Sequence, residues 1–75
     1  MMVNINLLRA KMALKGDLTW SPLLELLELS RPALTARLTG QTDWTVPEIR
    51  KIVWHYELTE KDTCDIFGLM PANED

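Results

Sequence analysis

Two short segments with a helical spacing of leucines lie very close together in the first half of this chain. They occupy residues 18–40, which read LTWSPLLELLELSRPALTARLTG. Only Glu28, Leu29 and Ser30 connect them, and leucines recur at three- and four-residue steps on either side. Two amphipathic segments around so tight a connection are the layout of a helix-turn-helix. No other part of the sequence restricts the possible folds as strongly.

The length of the chain indicates a single small domain. At 75 residues it is long enough for one domain and too short for two. Hydrophobic residues make up 47% of the sequence, which is enough for a compact core without disulfides or metals. We therefore expect one domain over residues 1–75, with a folded core over about 5–68 and a frayed acidic end over 71–75.

Cysteine content and apolar runs indicate a cytoplasmic protein. Cys64 is the single cysteine, so no internal disulfide can form, and we expect it to pack as a small core residue. Residues 1–8 lack the cationic start and long apolar run of an export signal. No apolar stretch approaches the roughly 20 residues that cross a bilayer, so no membrane partner is expected.

The net charge of −3 is unevenly distributed along the chain. Residues 57–75 hold six acidic side chains and one lysine, a local charge of −5, so residues 1–56 carry +2. Nucleic-acid backbones attract Lys and Arg, and the total charge therefore argues against such a partner. The charge of residues 1–56 alone is compatible with one.

Capping residues and glycines divide the chain into five expected helices. The expected N-caps, in chain order, are Asn4, Thr19, Ser30, Thr45 and Thr59. The helices are expected to end near Lys15, Glu28, Gly40, Tyr56 and Gly68. Pro22 and Pro32 fall in the first turns of the second and third helices, where a missing N–H costs little.

The remaining local signals also favour helices. Thr45 and Thr59 each precede an acidic residue, Glu48 or Asp62, by three positions, which is the spacing of a capping box. No stretch alternates with a period of two for long enough to predict a strand, and no repeat is visible. We therefore expect an all-α domain of five helices with the helix-turn-helix at its centre.

A larger set of residues is informative through its order and spacing. The set comprises Leu18-Thr19, Leu23, Leu27, Leu29-Ser30, Leu34, Leu38, Gly40, Asp43-Trp44-Thr45, Glu48-Ile49, Lys51-Ile52, Leu58-Thr59 and Asp65-Ile66-Phe67. In this order it resembles the lambda-repressor-like, or Xre-type, helix-turn-helix family over about residues 5–68, and in particular the short Cro-like phage regulators. The resemblance implies a compact five-helix domain that binds double-stranded DNA. Its third helix would enter the major groove, often as part of a homodimer on a two-fold-related operator.

The start of the third helix is the expected base-reading surface. An α-helix fits the major groove of B-DNA, and its first turn offers unpaired N–H groups to phosphate. Arg31 lies in this turn and can donate two hydrogen bonds to guanine, and Thr35, one turn later, can contact a thymine methyl. The resemblance places Pro32 and Ala36 at positions that commonly face bases, although neither offers a side-chain hydrogen bond.

A second set of residues suits contacts with the DNA backbone that position the domain without reading bases. Its members are Trp20, Ser21, Ser30, Arg37, Thr39, Gln41 and Thr42. The last four of them also fit a solvated rim without a ligand, and Trp20 equally fits a cap on the core or a partner surface. Family members usually carry a phosphate-binding glutamine at Trp20, a small residue at Leu24 and often glycine at Glu28, so these three positions depart from the pattern.

Two other function classes compete with DNA binding for this sequence. An enzyme is not expected, because the chain has no glycine-rich phosphate loop or activated nucleophile. His55 and Cys64 are too few for a metal site, and no cofactor is expected. The alternative is a protein-binding module, such as an antirepressor that docks on a second regulator protein. The negative charge favours it, and Trp54, Arg50 and Trp20 would form its interface or that of a homodimer.

Overall fold

The computed structural model describes residues 3–68, and within that range the chain forms five α-helices and no β-strand. The helices are α1 (Ile5–Leu14), α2 (Ser21–Leu27), α3 (Arg31–Leu38), α4 (Val46–Tyr56) and α5 (Glu60–Phe67). The expected all-α class and the five expected helices are confirmed for this part of the chain. The expected frayed end at 71–75 lies outside the described residues.

The helix starts depend on side chains that satisfy the first backbone N–H groups. The expected caps that accept such a hydrogen bond are Asn4, Ser30, Thr45 and Thr59. At α4 the bonds are reciprocal: the Glu48 N–H donates to Thr45 Oγ1 (3.3 Å), and the Thr45 N–H donates to Glu48 Oε1 (3.0 Å). Thr59 and Asp62 repeat this arrangement at α5. Both predicted capping boxes are confirmed.

The start of α2 differs from the prediction by one residue. Trp20, rather than Thr19, precedes the first helical residue, and it makes no side-chain capping bond. Pro22 in the first turn has no N–H, which leaves one fewer donor to satisfy. The Trp20 carbonyl accepts from the Leu24 N–H (3.0 Å), which closes the first turn by backbone bonding alone.

Within the described residues, two helices end on a glutamate in the left-handed conformation. Glu28 follows α2 with a φ of 56°, and Glu57 follows α4 with a φ of 53°. This conformation costs a residue with a side chain about 1 kcal/mol more than it costs glycine. At Glu28 it turns the chain from α2 into α3 within three residues, so the tight connection is built at the expense of backbone strain.

The core takes residues from every helix and from two loops. The leucines around the tight connection are buried as expected: Leu23, Leu27, Leu34 and Leu38. In the loop before α4, Trp44 is buried, and its ring meets that of Phe67 edge-on at 5.3 Å between centroids. Cys64 is half-buried and not a core residue, which corrects the prediction. Ile66 and Phe67 take the buried side of α5, and Cys64 lies at the edge of that side.

Helix packing leaves one side of α3 uncovered. α2 packs on α4, and α1 packs on α5. The end of α4 is tied to the connection between α1 and α2, because the Tyr56 hydroxyl donates to Asp17 Oδ2 (2.9 Å). Burial and this hydrogen bond raise the pKa of Tyr56. α3 contributes Leu34 and Leu38 to the core, so the side of α3 opposite these leucines faces outward.

Candidate nucleic-acid interface

The outer side of α3 carries the residues predicted to read bases. Arg31, Pro32 and Thr35 are exposed, and their spacing places them on one side of the helix. Ala36 is half-buried and lies at the margin of that side. The structure therefore brings three of the four predicted residues together and gives Ala36 less surface for a ligand than the prediction implied.

The first turn of α3 has few free backbone donors. The Ala33 N–H donates to Ser30 Oγ (3.3 Å), and the Leu34 N–H donates to the Ser30 carbonyl (3.0 Å). Because Pro32 has no N–H, the Arg31 N–H is the one donor of this turn that lacks a partner within residues 3–68. A phosphate at this helix end would meet that single N–H together with the Arg31 side chain.

Arg37 is engaged in an ion pair inside the fold. Its Nε donates to Glu48 Oε1 (2.9 Å), and its Nη1 donates to the Ala33 carbonyl (3.1 Å). Only 15% of the Arg37 side chain and 14% of the Glu48 side chain are exposed. Burial opposes ionisation of Glu48, but hydrogen bonds from Arg37 and from the Thr45 N–H outweigh it and lower the pKa of Glu48. Arg37, which was predicted to contact the DNA backbone, therefore joins α3 to α4 through this ion pair.

The segment after α3 folds back onto the last turn of that helix. The Gln41 and Thr42 N–H groups both donate to the Ala36 carbonyl, at 2.8 and 3.0 Å. The Thr39 hydroxyl donates to the Thr35 carbonyl (2.9 Å). The side chains of Thr39, Gln41 and Thr42 are exposed. These residues, which were predicted to contact the DNA backbone, thus form a polar rim after α3. The protein main chain of this rim is held in place by its hydrogen bonds to α3.

Trp20, at the start of α2, forms a cation–π pair with an arginine of α1 that the sequence did not predict. Trp20 is half-buried and packs on the core, while Ser21 beside it is exposed. The Arg9 guanidinium of α1 lies over the Trp20 ring, 5.7 Å from the ring centroid. Arg9 and Trp20 belong to different parts of the fold, so no helical periodicity links them. Arg9 is an isolated basic residue on α1, which is a common feature of helices, so the sequence carries no signal that singles it out.

The outer side of α4 exposes apolar surface. Trp54 is 84% exposed and Val46 is 61% exposed. Arg50 lies between them at four-residue steps and is also exposed, so the three residues share one side of the helix. Of the residues predicted to form a protein interface, Trp54 and Arg50 therefore lie together. Trp20 is instead half-buried and contacts Arg9.

Ion pairs neutralise half of the eight basic side chains. The pairs are Lys11 with Asp62, Lys15 with Glu57, Lys61 with Asp65, and Arg37 with Glu48. Within residues 3–68, the basic residues without a carboxylate partner are Arg9, Arg31, Arg50 and Lys51. Three of the four pairs use an acidic residue from 57–65. The acidic end of the described chain is therefore partly neutralised by its own neighbours, and unpaired cations remain on α1, α3 and α4.

Other site chemistry has little support in the described part of the chain. It contains no group of three or more His, Cys, Asp or Glu side chains placed to hold a metal. His55 Nε2 lies 3.8 Å from Asp17 Oδ2, the oxygen that accepts from the Tyr56 hydroxyl, and this cluster ties α4 to the connection before α2. Among residues 3–68, none of the helices has the length and apolar character needed to cross a bilayer.

Comparison of the chain with protein-family models, with curated proteins and with solved structures finds no match.

Proposed function

We propose that this chain is a sequence-specific, DNA-binding transcriptional regulator with a lambda-repressor-like fold, of the short Cro-like kind, and that α3 is its reading helix. The observation that carries the proposal is the outer side of α3, where Arg31, Pro32 and Thr35 lie together directly after the N-cap at Ser30. Two buried leucines hold the opposite side in the core. A helix held in this way can lie in the major groove with its outer side against base edges.

Arg31 is the residue that we assign to a base. It is exposed at the first position of α3 and has no carboxylate partner within residues 3–68. Its guanidinium is therefore available to donate two hydrogen bonds to O6 and N7 of a guanine, a contact that discriminates between bases by ~1–3 kcal/mol. Thr35, one turn later, offers a methyl group to thymine.

The DNA backbone is the proposed ligand of the residues that frame α3. Ser21 and Ser30 lie at the starts of α2 and α3, and Gln41 and Thr42 belong to the polar rim after α3. Contacts of this kind position a domain on DNA without reading its sequence. Arg37 supports the same surface from inside, since its ion pair with Glu48 joins α3 to α4.

Titration with duplex DNA at two salt concentrations tests the proposal. The chain is titrated against a labelled duplex of random sequence and against the region upstream of its own gene, in about 50 and about 200 mM salt. We expect tighter binding at the lower salt, because each phosphate contact releases bound counterions. Failure to bind at the lower salt, or an affinity that does not change with salt, would overturn the proposal.

Two variants that each remove one positive charge separate base reading from general attraction. Arg31→Ala is expected to reduce the preference for the upstream region over the random duplex. Lys51→Ala also removes one positive charge from an exposed position on α4, has no part in the proposed surfaces, and is expected to keep that preference. An equal loss on every duplex for Arg31→Ala would contradict the assignment of Arg31 to a base.

A protein-binding module is the second candidate, and the side of α4 that carries Val46, Arg50 and Trp54 favours it. Tryptophan and arginine are the residues that most often anchor protein interfaces, and Trp54 here is almost fully exposed. Such a surface would join two copies in a homodimer or dock on a second regulator. Sedimentation of the wild-type chain and of Trp54→Ala tests the homodimer. Leu14→Ala, which also shortens an exposed apolar side chain, is the control.

The outcomes of sedimentation bear on α4 alone. A dimer that Trp54→Ala dissociates and Leu14→Ala leaves intact would place the interface on α4. A dimer that survives Trp54→Ala would contradict that placement. If a dimer through α4 also binds duplex DNA, then the exposed tryptophan serves assembly of the regulator, and the second candidate is no longer needed.

A further inference from the structure

An arginine on α1 is held in a way that leaves its donors free. Arg9 is exposed, and its guanidinium lies over the Trp20 ring at 5.7 Å from the centroid. The negative face of an indole attracts a guanidinium, whose five N–H groups can still donate at its edges. Within residues 3–68 no carboxylate pairs with Arg9, so its charge is not neutralised there.

The pair lines a half-open cleft of about 250 Å³ between α1 and the start of α2. Besides Arg9, the lining includes the side chains of Asn6 and Thr19, which are exposed and carry neutral donors. Asp17 is the one carboxylate of the lining, and its Oδ2 already accepts from the Tyr56 hydroxyl (2.9 Å). The cleft thus offers a small anion one positioned cation and two neutral donors.

We propose that Arg9, held on Trp20, binds a phosphate of the DNA backbone beside α2, an inference that rests on the proposed function. When a helix pair such as α2 and α3 docks on DNA, the second helix lies in the major groove and the first crosses the backbone. Trp20 is the residue at the start of α2, so the cleft lies at the end of the helix that crosses the backbone. The contact positions the domain and carries no sequence information.

The salt dependence of DNA binding by Arg9 variants tests this inference. Arg9→Gln is expected to reduce the slope of log affinity against log salt by about 0.9, because one phosphate contact is lost. Between about 50 and about 200 mM salt, the ratio of wild-type to variant affinity should therefore fall ~3.5-fold. The loss should be the same for every duplex sequence. Arg9→Lys keeps the charge, so it should retain most of the slope and bind more weakly than the wild-type chain.

Lys61→Gln is the charge control: it lowers the formal net charge by the same amount at an exposed position on α5, where Lys61 is already paired with Asp65. We expect it to leave the slope unchanged, and circular dichroism should show that all variants are folded. If the wild-type chain binds DNA and Arg9→Gln has the slope of Lys61→Gln, the inference is wrong and the proposed function stands. A change of preference among duplexes for Arg9→Gln would also overturn it. If the wild-type chain does not bind DNA, both the inference about Arg9 and the proposed function are wrong.

Discussion

Loss of the ion pair between Arg37 and Glu48 is expected to cost the domain a large part of its stability. Glu48 Oε1 accepts two hydrogen bonds, from Arg37 Nε (2.9 Å) and from the Thr45 N–H (3.0 Å). A hydrogen bond to a charged group stabilises a protein by ~1.5–3 kcal/mol, and the loss of a helix cap costs about 1 kcal/mol. Because the Glu48 side chain is largely buried, Glu48→Ala should lower the free energy of unfolding by about 2–4 kcal/mol.

That loss is large against the total stability of a chain this short. At ~0.05–0.15 kcal/mol per residue, 75 residues give a free energy of unfolding of ~4–11 kcal/mol. Arg37→Ala removes the bond to Glu48 and the bond to the Ala33 carbonyl, so it should cost about 1.5–3 kcal/mol. The double variant should lose less than the sum of the two single variants, with a coupling energy of about 1–2 kcal/mol.

Urea unfolding followed by far-ultraviolet circular dichroism measures these quantities for all four proteins of the cycle. Lys51→Ala is the control, because Lys51 is exposed on α4 and has no carboxylate partner within residues 3–68. Its free energy of unfolding should stay within about 0.5 kcal/mol of the wild-type value. A coupling energy below about 0.3 kcal/mol would refute the reasoning that this ion pair joins α3 to α4.

Two further expectations concern stability. Folding lowers the pKa of Glu48 below its ordinary value of 4.5. The contribution of the Glu48 carboxylate to the free energy of unfolding is therefore complete above pH 4.5 and is lost as the pH falls through the lowered pKa. In acid titrations of unfolding, Glu48→Gln should therefore show a weaker loss of stability in that window, and an unchanged profile would contradict this. Glu28→Gly should raise the free energy of unfolding by about 0.5–1 kcal/mol, because it relieves the left-handed strain after α2. Glu25→Gly, inside α2, is the control and should lower the free energy of unfolding by about 1 kcal/mol. If thermal unfolding shows that both glycine variants change stability in the same direction, Glu28 is not strained.

The features that the sequence predicted well are local ones. A cap such as Ser30 and a capping box such as Thr45 with Glu48 act within four residues, so their spacing is visible in the chain. The buried leucines of α2 and α3 follow the period of the helix in the same way. For this reason the helix starts and ends agree with the prediction to within one or two residues.

The features that the sequence did not reveal are contacts between distant side chains. Arg37 meets Glu48, and Arg9 meets Trp20, across different helices, so each contact depends on how the helices pack. Helical periodicity carries no information on such pairs. The left-handed turn at Glu28 was hidden for another reason, since no glycine marks it in the sequence.

Selection of bound sequences from a random duplex library tests most directly the proposal that α3 reads DNA. The wild-type chain is predicted to enrich one sequence motif that contains guanine at the position read by Arg31. Arg31→Ala should keep the rest of the motif and lose that guanine preference, whereas Lys51→Ala should enrich the wild-type motif unchanged. A library that stays random with the wild-type chain, or an unchanged motif with Arg31→Ala, would contradict the assignment of α3 as the reading helix.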